Sequence, residues 1–395
     1  MTAINPGKSP WLLPVLLNSL FLQGGIYVVR PIVSYKALEL GADAILVGII
    51  GATFALAPLV FAIYIGRFVD KGRAGLALFA GSFLLILTTI ALLFINSIWL
   101  LMLAMPMLGM GHLLAMVGGQ TIIANRSLDA KYENNFGLLT FYASLGHAFG
   151  PFIGGLLADS GSLADDTVNA NAAFGFALVL FVLATASVFY LSSKKQNKPV
   201  LRPTEQKSSA RQVLAVPTLK SAIFVAGATT AVLDVILIFL PLLGREIGLT
   251  VTEVGILLTT RAVASMAVRL VLGQMTRRMG LRGILLGGAA ITLISMLGLV
   301  WAVNFWVLVA MMVIAGFAMG IGQPATMAWV SRISSPESRG LAIAIRLTAN
   351  RFAQVSMPAV AGIIAGAGVG SVFYLLAASQ GVAFWVTAKA LKKGD

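Results

Sequence analysis

Along this chain polar and charged residues fall in short clusters, and the stretches between them stay apolar for about twenty residues or more. The hydrocarbon core of a bilayer is about 30 Å thick, so a helix needs ~20 apolar residues to cross it. Twelve segments qualify: 11–35, 43–66, 76–95, 98–125, 136–158, 172–192, 219–243, 250–274, 284–303, 305–331, 340–365 and 370–390. The pattern predicts an all-α polytopic membrane protein with twelve transmembrane helices. The first run, from Trp11, follows Lys8, is too long for a cleaved leader and lacks a small-x-small cleavage site. It is expected to be a retained first helix.

The sixth and seventh segments are separated by a polar, proline-interrupted stretch. It divides the chain into an N-terminal six-helix half (1–192), a linker (193–218) and a C-terminal six-helix half (219–395). A shift of 207 residues brings the halves into register. Gly41 meets Gly248, Gly48 meets Gly255, Gly66 meets Gly273, Pro151 meets Pro358 and Gly155 meets Gly362. A shift of 203 aligns Gly119-Gln120 with Gly322-Gln323. The expected architecture is two pseudo-symmetric six-helix bundles, the duplicated plan of secondary transporters.

Composition sharpens the class. The chain is 58% hydrophobic and 11% charged, with a mean hydropathy of +0.94, against about 25% charged residues in soluble domains. Its net charge of +14 would point to nucleic acid in a soluble protein. Here the charge has another reading, and no nucleic-acid partner is expected. With both termini in the cytoplasm, twenty-one of the 28 lysines and arginines fall in cytoplasmic segments. Only Lys36 and Arg245 fall in the outer loops, and the rest lie within helices. That bias sets the orientation of a multi-pass protein of the cell membrane, the cytoplasmic membrane, surrounded by lipid. The loop with Asp159, Asp165 and Asp166 is then outside.

The chain has no cysteine and two histidines. It carries no H-E-x-x-H, Walker G-x-x-x-x-G-K or nucleophile-elbow motif. No enzyme activity, catalytic residue, metal site or cofactor is expected. A channel would build its pore by oligomerising around a repeated element. Two six-helix halves joined by a linker point instead to a monomer working by alternating access.

Charges inside the membrane mark function, because each costs roughly 2.5–3.5 kcal/mol at the bilayer centre. Arg30, Asp234, Arg261 and Arg351 lie deep, whereas Arg269 and Arg346 lie near enough to the ends of their segments to snorkel. These six stand on the first, seventh, eighth and eleventh segments, and His112 and His147 add the fourth and fifth. The cores of the third, sixth, ninth and twelfth carry none.

Two motifs carry a resemblance. The loop after the second segment reads Gly66-Arg67-Phe68-Val69-Asp70-Lys71-Gly72-Arg73. The fifth segment places Gly137, Gly146, Gly150-Pro151 and Gly154-Gly155 at the spacing G-x8-G-x3-G-P-x2-G-G. Both resemble motifs of the major facilitator superfamily. The loop is one residue short of the family pattern, and the fifth-segment signature is associated with the family's twelve-helix proton-coupled exporters, its drug and metabolite antiporters. Gly146, Gly150 and Gly154 share one helix face and permit close packing.

The resemblance implies that the third, sixth, ninth and twelfth helices are peripheral and the others line a central cavity. It implies that Asp70 caps the eleventh helix near Gly340 when the cytoplasmic side is closed, and that the fifth helix packs near the eighth as a sliding seam. The expected gating or conformational residues are Gly66, Asp70, Lys71, Gly72, Arg73, Gly137, Gly146, Gly150, Pro151, Gly154 and Gly155. The expected substrate or coupling residues are Arg30, Asp234, Arg261, Arg351, His147, Gln120 and Gln323.

Asp234 reads either as the proton-coupling carboxylate or as a permanent partner of Arg30 or Arg261. His147 reads as a rival proton carrier or a buried hydrogen-bonded histidine, and His112 as a packing residue. Excess arginine favours an anionic small molecule, which a guanidinium grips bidentately. Asn350 and Gln354 would add neutral hydrogen bonds, and Phe141, Tyr142, Trp329 and Phe352 an apolar wall. The function expected is proton-coupled efflux of a small organic molecule. The alternative is proton-coupled uptake of a small organic anion.

Overall fold

The computed structural model describes residues 10–128, 131–159, 168–192, 210–302, 304–335 and 338–391. Lys8, Asp165, Asp166 and most of the linker lie outside these. Six helices come first: α1 Leu12–Glu39, α2 Ala44–Phe68, α3 Ala74–Phe94, α4 Ile98–Arg126, α5 Tyr132–Ala158 and α6 Ala170–Ser192. After a single helical turn at Ala210–Leu214 comes α7, Leu219–Glu246. The run Val251–Trp301 contains α8 (251–279) and α9 (281–301), and α10 Phe305–Ile333, α11 Arg339–Ala365 and α12 Gly370–Ala390 complete the chain.

Fifty-one continuous helical residues would reach about 77 Å, more than twice the hydrocarbon thickness. The run is broken at Gly280, whose φ is 69°. Its counterpart Gly72, at φ 78°, turns the chain between α2 and α3 within Val69–Arg73. Only glycine enters this left-handed region without steric cost. Each glycine therefore makes two passes out of one continuous ladder.

The expected spans are all present, and several run further than hydrophobicity indicated. α1 continues to Glu39, α5 begins at Tyr132 and α7 reaches Glu246. Apolarity marks only the part of a helix that meets lipid, whereas backbone hydrogen bonding carries on into the polar interface.

The repeat appears in matching turns. Gly41 and Gly248 take φ of 85° and 77°. At the two turns Ala42 N–H donates to Ala37 O at 2.9 Å, and Leu249 N–H donates to Gly244 O at 2.8 Å. The result is two pseudo-symmetric bundles, α1–α6 and α7–α12. Among the described residues, the main contacts of α3 and α6 lie within the first bundle and those of α12 within the second.

The bundles meet along α2 with α11 and along α5 with α8. Both contacts use aligned small residues. A Cβ on Gly48 would lie 2.7 Å from Gly362 Cα, and one on Gly255 would lie 3.4 Å from Gly155 Cα and 3.2 Å from the Pro151 carbonyl carbon. These contacts lie toward the helix ends far from the termini. Twelve crossings leave the start of α1 and the end of α12 on one face, called here the terminal face, and the opposite face is sealed. There Thr252 N–H donates to Asp159 Oδ2 at 3.2 Å, tying α5 to the start of α8. Toward the terminal face the bundles part: a Cβ on Gly66, Gly137 or Gly273 would meet nothing within 4 Å.

The glycine face of α5 corrects one expectation. Gly146, Gly150 and Gly154 pack on α1 of their own bundle, against Leu20, Gly24 and Val28. The contact with α8 is made by Pro151 and Gly155 instead. Two adjacent faces of α5 thus serve two partners.

Candidate functional site

Between the bundles lies a cavity of about 430 Å3. Its lining comes from α1, α2, α4, α5, α7, α8, α10 and α11, and none of it from α3, α6, α9 or α12. Asn18, Ser19, Thr140, Ser144, Arg269 and Leu347 line its part toward the terminal face, and Arg30, Phe54 and Asp234 lie deeper.

Arg30 and Asp234, from opposite bundles, form a salt bridge with side chains 6% and 7% exposed. Arg30 Nη1 donates to Asp234 Oδ1, and its guanidinium carbon lies 4.6 Å from the centroid of Phe54. The aromatic face adds a second attraction to the same cation. Of the two partners the sequence offered Asp234, the structure selects Arg30. Asp234 Oδ2 and Arg30 Nε are buried without a hydrogen-bond partner.

A second polar centre joins α1, α4 and α5. His112 Nε2 and His147 Nε2 each lie 3.3 Å from Gln23 Oε1. An amide oxygen has two lone pairs and can accept from both rings when both carry the proton on Nε2. His147 also stacks on Tyr27, ring centroids 3.9 Å apart. His112 is thus a cavity residue joined to His147, where the sequence suggested packing.

In the second bundle Gln323 Nε2 donates to Thr230 Oγ1, and Gln323 Oε1 accepts from Arg346 Nη2 at 2.9 Å. Arg346 also donates to Thr326 Oγ1 at 2.8 Å and is 1% exposed. It therefore does not snorkel, because three acceptors on α10 hold it inside. Arg269 does not snorkel either. It lines the cavity, and its Nη1 donates to Ser144 Oγ of the other bundle at 3.0 Å. Arg351 lines the cavity with Nη1 held by Gln354 Oε1 at 2.9 Å.

Of the residues picked from sequence, Arg30, Asp234, Arg351, His147, Gln120 and Gln323 line the cavity, as do Asn350 and Gln354. Arg261 does not: it is 3% exposed, away from the cavity wall, with Nε and Nη2 unpartnered. The expected aromatic wall is absent as well. Trp329 is fully buried in the core of the second bundle, and Phe141 and Phe352 are exposed outside the cavity lining. Tyr142 is likewise not part of that lining. Phe54 and Tyr27 supply the aromatic surface instead. Sequence reasoning missed Gln23, Tyr27 and Phe54, and among them only Gln23, a polar residue in an apolar run, stood out as a signal.

At the terminal face Asp70 is exposed, and among the described residues it makes no hydrogen bond or ion pair with α11. Arg73 instead stacks on Phe68, 5.3 Å from its centroid. In this open arrangement the loop and α11 are not engaged.

Twelve helices in two bundles around a polar, membrane-embedded cavity define a transporter rather than an enzyme. The chain belongs to the Major Facilitator Superfamily, whose family model matches residues 15–233 and 219–393. It is 24% identical to the tetracycline resistance protein, class H, of Pasteurella multocida, over 94% of this chain and 90% of that one. It is 24% identical to multidrug resistance protein 1 of Bacillus subtilis (strain 168), over 95% of both chains. The crystal structure of the nucleoside transporter NupG superposes with a TM-score of 0.77, covering 97% of this chain and 99% of that one at 14% identity.

Proposed function

We propose that this protein is a proton-coupled exporter of a small organic molecule that carries an acidic group and a hydrogen-bond donor. It works by alternating access in the cytoplasmic membrane with both termini in the cytoplasm. In that orientation, supported by the lysine and arginine bias, the cavity is open to the cell interior. The names of the two resistance relatives support export, as does the glycine pattern of α5.

The observation that carries the reading is the Arg30–Asp234 pair. It bridges the bundles within the cavity, and Asp234 keeps one oxygen, Oδ2, without a partner. A proton and a donor group of the cargo compete for that oxygen. Such competition is what exchange requires: loading one displaces the other. The acidic group of the cargo would be met by Arg269 and Arg351, neither of which has a carboxylate partner. Gln120 and Asn350 add neutral contacts.

The excess of cations favours a second reading. An anion without a donor would leave Oδ2 free, and its negative charge would favour a proton on Asp234. Proton and anion would then bind together, as in proton-coupled uptake. The charge and donor pattern of the cargo thus decides the sign of coupling.

Transport of radiolabelled 4-hydroxybenzenesulfonate into inside-out and right-side-out vesicles under an imposed pH gradient tests the proposal. In inside-out vesicles with an acid lumen the wild type should accumulate the probe. Asp234→Asn should bind it but lose gradient-driven accumulation. Unchanged accumulation by Asp234→Asn would remove that residue from coupling. Accumulation driven only by the reverse gradient would establish uptake.

A further inference from the structure

Arg346 is a buried cation with no carboxylate partner among the described residues and no place on the cavity wall. It reaches the cavity through one side chain. Its Nη2 faces three acceptors on α10: the Gln323 backbone oxygen at 3.2 Å, Gln323 Oε1 at 2.9 Å and Thr326 Oγ1 at 2.8 Å. Gln323 and its other partner, Thr230 of α7, both line the cavity.

Chemistry fixes the direction of these hydrogen bonds. A guanidinium only donates, so the oxygen of the Gln323 amide has to face Arg346. At the other end, Gln323 Nε2 meets Thr230 Oγ1, which gives its own proton to Ala226 O at 2.8 Å. That hydroxyl is left only to accept. Turning the amide over would set N–H against N–H at Arg346 and oxygen against oxygen at Thr230. Gln323 is therefore locked from both ends. Thr230 takes one of its two amide protons, and the second has no acceptor among the described residues.

The lock also has a place relative to the Arg30–Asp234 pair. Thr230 and Asp234 stand four residues apart on α7, and both line the cavity. Residues so spaced are neighbours on one helix face, about 5–6 Å apart. The amide held by Thr230 thus lies about one helical turn from the carboxylate.

We propose that Arg346 is a positioning residue that sets the specificity of the cavity without touching the cargo. By holding the oxygen of Gln323 it turns the second amide N–H toward the cargo. The cargo must then carry an acceptor oxygen, such as a carbonyl, about one helical turn from the donor that meets Asp234. This rests on the reading of the cavity as the cargo site and of the cargo as acidic with a donor, and it adds a third requirement. A cargo with an alkyl group in place of the acceptor leaves a buried N–H unpaired.

Two probes differ at that group. In 3-acetyl-5-hydroxybenzenesulfonate a carbonyl stands meta to the hydroxyl, and 3-isopropyl-5-hydroxybenzenesulfonate has nearly the same shape without the acceptor. Titration calorimetry in detergent gives the dissociation constant of each, and their ratio is the readout. The wild type should bind the acetyl probe about tenfold more tightly. Arg346→Met leaves Gln323 Oε1 without its donor and should cut that preference to about twofold or less. Arg346→Lys, another side chain that only donates, should recover part of it. Gln323→Glu should fold, because its carboxylate gains Arg346 as a partner, and should lose the preference, because it offers the cavity oxygen alone.

A merely structural Arg346 would weaken both probes alike and leave the ratio at its wild-type value. That result in Arg346→Met, or an undiminished acetyl preference in Gln323→Glu, would overturn the proposal. Equal binding of the two probes by the wild type would overturn it as well and leave the acidic-cargo reading standing. If the wild type binds neither probe, the acidic-cargo reading falls and this proposal with it.

Discussion

Arg30 and Asp234 stand 204 residues apart in sequence and meet inside the membrane. Removing one partner of a buried pair costs about 3–5 kcal/mol, because the other charge stays buried alone. Arg30→Met should therefore destabilise the fold by about that amount, and Arg30→Met combined with Asp234→Asn should recover most of it. Denaturation of the single and double variants reads this coupling. Additive losses would mean that the two residues act independently.

Gln23→Leu should cost about 1–3 kcal/mol for each buried N–H left without an acceptor, at His112 and His147. Thermal melting at neutral pH would show it. The residue scale is also where the sequence was least complete. Position along a segment gives depth; of the four residues picked for depth, Arg30, Asp234 and Arg351 line the cavity and Arg261 does not. Direction around the helix depends on packing partners in other segments. Arg269 was misjudged because its acceptor, Ser144, lies on another helix of the other bundle, and Gln23 because its two histidines lie on two further helices.

Two glycine contacts of α5 make different predictions for elements. A side chain at Gly150 would collide with Gly24 O, 2.6 Å from its Cβ, within one bundle. Gly150→Leu should therefore lower stability and expression whatever face the cavity opens to. A side chain at Gly155 would collide with Val251 O, 2.7 Å away, across the seal between bundles. Gly155→Val should leave each bundle intact and loosen the seal. The chain has no cysteine of its own, so a single Val254→Cys, buried beside that seal, can report this. A membrane-impermeant maleimide should label it faster when Gly155→Val is added. An unchanged rate would show that the seal does not depend on Gly155.

At this scale the sequence was nearly sufficient. Apolar length marks every pass except α11, whose arginines lower its hydropathy, and the 207-residue repeat identified the pairs Gly48/Gly255 and Pro151/Pro358 that form the two seams. It could not show which small face meets which helix, because α5 carries glycines on two faces at once.

For the whole molecule, the structure has seams on one face and parted helices on the other, the arrangement that one half of the proposed cycle requires. Alternating access requires the converse arrangement, with the α2–α11 and α5–α8 seams parted and the terminal face closed by contacts such as Asp70 with α11. Distances between paired spin labels measure this directly in the otherwise cysteine-free chain. One pair, Thr140→Cys with Leu347→Cys, spans the cavity mouth, where both positions line the wall. The other, Ile45→Cys with Ile363→Cys, spans the sealed face at two exposed positions. On adding 4-hydroxybenzenesulfonate or changing pH, a population should appear in which the mouth distance shortens and the distance across the sealed face lengthens. Asp234→Asn should abolish its dependence on pH. Both distances staying fixed under conditions in which the same protein transports the probe would contradict alternating access between these two bundles.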